Sequence, residues 1–119
     1  MKIAVTSEGP LLESRLDPRF GRAKYFLFYD TETGEYEFYD NEEGANALQG
    51  AGIQSAELVV NRGAQVVITG HCGPKAFRAL KEAGVEVYYA GEGTVRDAID
   101  ALARGELSLA QEADVPGHW

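Results

Sequence analysis

The run Gln65–Thr69 (QVVIT) is apolar through its centre, with no polar residue alternating into it. A strand with one face in water alternates. An unbroken apolar run therefore reads as a parallel strand covered on both faces. Helical patterns flank it. Before it, Ile53–Asn61 places Ile53, Ala56, Val59 and Val60 on one face. After it, Gly73–Pro74 opens a helix whose apolar face is Ala76, Phe77, Leu80 and Ala83 and which Gly84 stops. Proline suits the first helical position, where its missing N–H costs little.

The remaining elements extend this pattern. Lys2–Thr6 (KIAVT) reads as a second buried strand, and Val85–Tyr89 (VEVYY) as the last one. Tyr25–Asp30 and Glu35–Asp40 flank Thr31–Gly34 as a β-hairpin. In its second strand Glu35, Glu37 and Tyr39 alternate with Tyr36 and Phe38, which predicts an acidic face turned to water. Asn41–Gly52 reads as loop. Thr94–Asp97 resembles a capping box ahead of a helix with Val95, Ala98, Ile99 and Leu102 inward and Gly105 at its end. Right-handed crossovers make the later strands parallel. The chain of 119 residues suits one domain, expected over residues 1–107, with 108–119 as a mobile tail.

Composition narrows the function classes. The net charge of −8 disfavours sequence-independent nucleic-acid binding. No apolar run approaches the roughly 20 residues of a membrane helix. The opening MKIAVTSEG has no apolar leader, so the cytoplasm is the expected compartment. The single cysteine, Cys72, excludes an internal disulfide and any four-thiolate site built from one chain. Charge is unevenly spread. Asp30, Glu32, Glu35, Glu37, Asp40, Glu42 and Glu43 form an acidic stretch with no base, whereas Arg15, Arg19, Arg22 and Lys24 cluster around Asp17. A basic loop on an acidic protein suits a small anion, and equally a solvated loop with paired charges.

In an open α/β sheet, ligands sit beyond the carboxyl ends of the parallel strands. Three loops qualify: Thr6–Ser7–Glu8 entering the long basic segment, Gly70–His71–Cys72–Gly73, and Gly91–Glu92–Gly93–Thr94. All three are expected to open on one edge, and two feed helix starts that favour an anion. His71 and Cys72 offer imidazole nitrogen and thiolate sulfur, donors for zinc, copper, iron or an iron–sulfur fragment. A cysteine at a helix start is expected to have a lowered thiol pKa, and Gly70 and Gly73 would let a bulky ligand approach. The alternatives are a small buried cysteine and a histidine serving the turn. Phe20 reads as a staple to the core or a shield for the site. The terminal His118 is an extra candidate donor.

These segments resemble a known family. LDPRFGRAKYF (Leu16–Phe26), GAGIQSAELVVNRGAQVVITGHCGPKAFRAL (Gly50–Leu80) and GTVRDAIDALARGEL (Gly93–Leu107) are similar to the dinitrogenase iron–molybdenum cofactor biosynthesis family. That family takes in NifX-like and NafY-like carriers and orange-protein-like chains. The resemblance implies a ribonuclease-H-like fold: a five-stranded mixed sheet of order 3-2-1-4-5, strands 1, 4 and 5 parallel, flanked by about three helices. It implies a non-catalytic carrier of an iron–sulfur or molybdenum-containing metal–sulfur cluster or cofactor precursor. Donor and acceptor proteins would be its partners, and the chain itself a monomer or weak homodimer. Carried onto this sequence, the suspects are Asp17, Arg19, Phe20, Gly21 and Arg22, then Gly70, His71, Cys72, Gly73 and Pro74. Gly93 and Thr94 join them as a helix start, with His71 and Cys72 as the metal donors.

Three rivals are weaker. A two-metal nuclease wants an acid on the first strand, and KIAVT has none. Asp97 is better used as a cap. A nucleotide- or small-anion-binding module would use the helix starts, but neither G-x-x-x-x-G-K-[ST] nor G-x-G-x-x-G occurs. A thiol redox protein acting through Cys72 would need a disulfide between chains, because there is no C-x-x-C.

Overall fold

A computed structural model describes residues 1–115. The strands are β1 (Lys2–Ser7), β2 (Tyr25–Asp30), β3 (Tyr36–Asp40), β4 (Val66–Thr69), β5 (Glu86–Tyr89) and β6 (Ser108–Leu109). The helices are α1 (Glu42–Ala45), α2 (Ala51–Asn61), α3 (Pro74–Glu82) and α4 (Val95–Ala103). All strands join one sheet of order β3-β2-β1-β4-β5-β6. β1, β4 and β5 run parallel, while β2, β3 and β6 pair antiparallel with their neighbours.

This architecture corrects the expected ribonuclease-H-like arrangement of five strands in the order 3-2-1-4-5 with three helices. A sixth strand closes the β5 edge, where Leu109 and Ser108 face Tyr88 and Tyr89. It is two residues long and exposed, so it leaves no alternation to read. The stretch expected to be loop, Asn41–Gly52, contains α1, which at four residues is too short to show a helical period.

The alternation of each central strand sorts the core into two layers. Ala4, Phe26, Phe28, Val67 and Val87 face Ala56 and Val59 of α2 and Ala76 and Leu80 of α3. Ile3, Val5, Leu27, Val66 and Ile68 face Val95 and Ala98 of α4. The inward face of α2 is Ala51, Ser55, Ala56 and Val59. Ile53, expected inside, is 39% exposed. Ser55 takes the inward position and donates its hydroxyl to the Gly21 carbonyl at 3.1 Å. Nor is the Glu37 and Tyr39 face of β3 bare acid in water. Arg62, at the end of α2, pairs with Glu37 and lies over the rings of Phe28 and Tyr39.

Between β1 and β2 the long basic segment folds as a built part of the domain. Thr6 Oγ1 donates to the Asp17 carbonyl at 2.7 Å and lies 3.0 Å from Thr69 Oγ1. Phe20 is fully buried and packs edge-on against Phe26, with ring centroids 5.7 Å apart. Its place among the β2, α2 and α3 side chains makes it a core residue. Phe20→Ala is expected to cost about 3–5 kcal/mol of stability, read by equilibrium urea denaturation. A loss under about 1 kcal/mol, the scale of a surface change, would contradict this placement.

Candidate functional site

The carboxyl edge of the parallel strands carries a groove of about 330 Å³ to which all three expected loops contribute, through Glu8, Gly70, His71 and Gly91–Gly93. Arg15 is its one basic side chain beside His71, and Glu8 and Glu92 stand against them. The helix start at this edge is already used. Thr94 Oγ1 accepts from the Asp97 amide at 3.0 Å, and an Asp97 carboxylate oxygen accepts from the Thr94 amide at 3.1 Å. The Thr94 amide, then the Thr94 side chain, hold the Asp97 carboxyl below the usual carboxylate range. Gly93 and Thr94 therefore present a start whose positive end carries its own acid.

Gly70 does not clear room for a ligand. A Cβ there would stand 2.7 Å from Pro18 Cα, so the absent side chain is the space in which the two loops cross. The crossing is fastened by the Phe20 amide, which donates to the His71 carbonyl at 3.1 Å. Asp17 is buried at its base. Its two carboxylate oxygens accept from the amides of Arg19 at 3.0 Å and Lys24 at 3.3 Å. The Arg19 guanidinium lies 3.6 Å from the same carboxylate. The four bases of the segment are thereby dispersed: Arg15 in the edge groove, Arg19 on Asp17, and Arg22 and Lys24 in two further depressions.

His71 and Cys72 are adjacent in sequence and part in space. Cys72 points into the core beside Phe20, Ala76 and Leu80 with no exposure. Burial, then the nearby Asp114 carboxylate, push its thiol up to about 12. The helix start was expected to lower it, and loss of water outweighs the dipole here. His71 is half-buried, and its Nδ1 donates to Asp114 at 2.8 Å. The other Asp114 oxygen accepts from the Cys72 amide at 2.9 Å. A carboxylate on one ring nitrogen fixes the imidazole tautomer. Tyr89 donates to the Glu112 carbonyl at 3.0 Å, and burial raises its pKa as well. Among the described residues no three His, Cys, Asp or Glu side chains gather to hold a metal ion. His118 lies outside the described residues.

A second groove, of about 190 Å³, lies between the starts of α2 and α3. Its walls are Gly50–Ile53 from one helix and Gly73, Lys75 and Ala76 from the other, with Arg22, Leu48 and Gln49 along the rim. Neither helix has a side-chain cap. The N–H groups of their first turns are thus left for solvent or a ligand, and both dipoles favour negative charge at this spot. Arg22 Nη1 donates to the carbonyls of Ala47 at 2.6 Å and Ala45 at 3.4 Å, which fixes the guanidinium at the rim. Among the described residues no acid lines this groove.

Of the expected residues, Arg22 and Gly73 reach this groove and Pro74 starts its second helix. Gly21 accepts from Ser55 and serves the core. Sequence reasoning missed Lys75, although it stands next to Pro74 in the recognisable G-P-K-A run. Asp114 it could not find, because it lies 42 residues from its partner.

Sheet order and loops define an open, mixed α/β domain. The chain belongs to the dinitrogenase iron–molybdenum cofactor family, whose pattern matches residues 1–105. It is similar to an uncharacterised protein of Methanocaldococcus jannaschii, 34% identical over 90% of this chain and 89% of that one. Among solved structures it is similar to the apo form of the orange protein from Desulfovibrio gigas. That match has 42% identity and a TM-score of 0.92 and covers 96% of both chains. It is also similar to a putative NifB protein from Thermotoga, 37% identical with a TM-score of 0.86 over 98% of both chains. Among the described residues no helix is long and apolar enough to cross a membrane.

The raised thiol pKa sets a pH dependence. Between the ordinary thiol value of 9.0 and about 12 the unfolded chain gives up the Cys72 proton while the folded chain keeps it. This contribution to stability is complete below 9.0 and is lost as pH rises through that window. Urea denaturation across the window should show wild-type stability falling more steeply than that of Cys72→Ala. Parallel curves would mean that the thiol titrates alike in both states.

Proposed function

We propose that this chain is a non-catalytic carrier that takes an anionic metal–sulfur cluster, or a cofactor precursor, into the groove between the starts of α2 and α3. One observation carries the reading. Two uncapped helix starts and two cations, Arg22 and Lys75, converge on a groove that no described acid enters. Family membership and the likeness to the orange protein support a metal–sulfur cargo.

The groove suits a cluster that arrives with its own sulfur ligands. It offers charge neutralisation, N–H donors and small residues, of which Gly50 has open space where a side chain would stand, while Gly52 lets α2 pack on Ala76 of α3. Its lining includes no cysteine, since Cys72 is buried in the core. In this reading Cys72 packs beneath the groove, and the Asp114 carboxylate steadies the His71–Cys72 turn from which α3 starts. Asp17, Arg19, Phe20 and Gly21 act indirectly, by building the segment that delivers Arg22. An iron–molybdenum–sulfur species is the specific cargo proposed, handed between donor and acceptor proteins in the cytoplasm.

Equilibrium dialysis against tetrathiomolybdate, a soluble metal–sulfur dianion, tests the site under anaerobic conditions. Wild type should bind it, and Arg22→Ala and Lys75→Ala should each weaken binding about tenfold, the scale of one partly buried charge contact. Arg15→Ala, at the carboxyl edge, should leave affinity unchanged. Equal weakening by Arg15→Ala, or none by Arg22→Ala and Lys75→Ala, would remove the site from this groove.

A further inference from the structure

The rim of the groove is unlike its floor. Leu48 is 99% exposed, and Ile53 beside it is 39% exposed. Both belong to the lining of one small depression. Leu48 lies on a short segment, residues 42–50, fixed firmly at its front end. There Asn41 is buried, its amide nitrogen donates to the Lys24 carbonyl at 2.9 Å, and its side chain donates to the Ala23 carbonyl at 2.8 Å. Asn41 makes no side-chain cap on α1.

At the other end the segment joins α2 through Gly50, at φ +76°. Glycine takes left-handed and right-handed backbone conformations at similar cost, so this joint can turn without the penalty a side chain would impose. Between the two ends α1 packs on α2 with Gly44 buried, and among the described residues the hydrogen bonds that tie the segment to the groove rim are those from Arg22 to the carbonyls of Ala45 and Ala47. The same guanidinium is the rim cation of the cargo site. An anion in the groove competes with those two carbonyls for Arg22.

We propose that residues 42–50 form a flap over the groove, that Arg22 is its latch, and that Leu48 is the side chain it lays over bound cargo. The proposal rests on the groove reading given above and adds its gating. With the groove empty, Arg22 holds the flap by the Ala45 and Ala47 carbonyls and Leu48 stays in water. When a metal–sulfur anion draws the guanidinium inward, the carbonyls are released and the part of the segment between α1 and the Gly50 joint, residues 46–49, shifts toward the groove. Leu48 then covers the outer face of the cargo, shedding its own exposed surface and shielding the cargo from water. The chemistry fits, since sulfide faces of a cluster are polarisable and weakly hydrated beside its charge. Arginine answers the charge and leucine the sulfide.

The flap separates capture from retention. Leu48 contributes after cargo has entered, so its removal should act on release and leave entry alone. The experiment uses the full chain with tetrathiomolybdate, reading binding and release by stopped-flow absorbance and backbone mobility by hydrogen-exchange mass spectrometry. Ligand should slow exchange across residues 42–50 of wild type by about tenfold. Leu48→Ser should release the ligand at least fivefold faster with an association rate within twofold of wild type, and should lose the added protection of the flap. Binding with unchanged exchange in 42–50 would overturn the flap and leave the groove in place. So would release from Leu48→Ser at the wild-type rate, which would turn Leu48 into a contact for another protein. Failure of wild type to bind at all would overturn the groove and the flap with it.

Discussion

The buried carboxylate of Asp17 is the contact on which the arrangement depends. A charge taken out of water is costly unless hydrogen bonds and opposite charge replace the water. Here the amides of Arg19 and Lys24 and the Arg19 guanidinium do so. Satisfying that one group bends the segment back on itself. The bend then places Pro18 in the notch of Gly70, Phe20 in the core and Arg22 at the groove rim. Thr6 completes the anchor, with its hydroxyl on the Asp17 carbonyl and its neighbour Thr69 on the central parallel strand. A segment of this length without helix or strand is costly in chain entropy, and the buried polar contacts give it one conformation.

An anion site on a chain of net charge −8 needs local rather than global electrostatics. Screening over about 10 Å at 0.1 M salt makes the nearest groups decisive. Of the three long helices, α4 supplies its own acid to its start through Asp97, while α2 and α3 bring none to theirs. Two dipoles left open on one groove, with Arg22 and Lys75 beside them and no described acid in its lining, set the local balance there. The carboxyl-edge groove has the opposite balance, since Glu8 and Glu92 face Arg15 there. Strand-end topology favours that edge for a ligand, whereas the distribution of charge favours the flank of α2 and α3 for an anion.

Much of the fold was legible because its long signals were local. The QVVIT run, the hairpin, the G-P start of α3 and the Thr94–Asp97 box each encode their structure within a few residues. What was illegible has a physical reason in each case. β6 and α1 are shorter than the period that would reveal them. Ile53 fits the helical spacing, yet Ser55 takes the inward place because Gly21, far off in sequence, needs its hydroxyl. The thiol of Cys72 obeys two opposed effects, dipole and desolvation, and only burial in three dimensions decides between them. Asp114 reaches its partners across 42 and 43 residues, a distance over which no pattern speaks.

The burial of the Cys72 thiol bears on how the proposed carrier would hold its cargo. A thiolate bond to a cluster is strong and, once formed, leaves slowly; transfer then needs a competing thiol. Cys72 lies in the core with its thiol pushed up to about 12, so the proposed groove presents no ready thiolate. In the proposed groove, helix starts and two cations would hold by charge and hydrogen bonding, contributions of about a kcal/mol each that could lapse one at a time as an acceptor draws the cargo away. Such binding weakens with salt and needs shelter from water to last. Affinity then depends on how completely the rim can close. The proposed groove, with cations beside it and an uncovered leucine at its rim, would suit holding that can be undone.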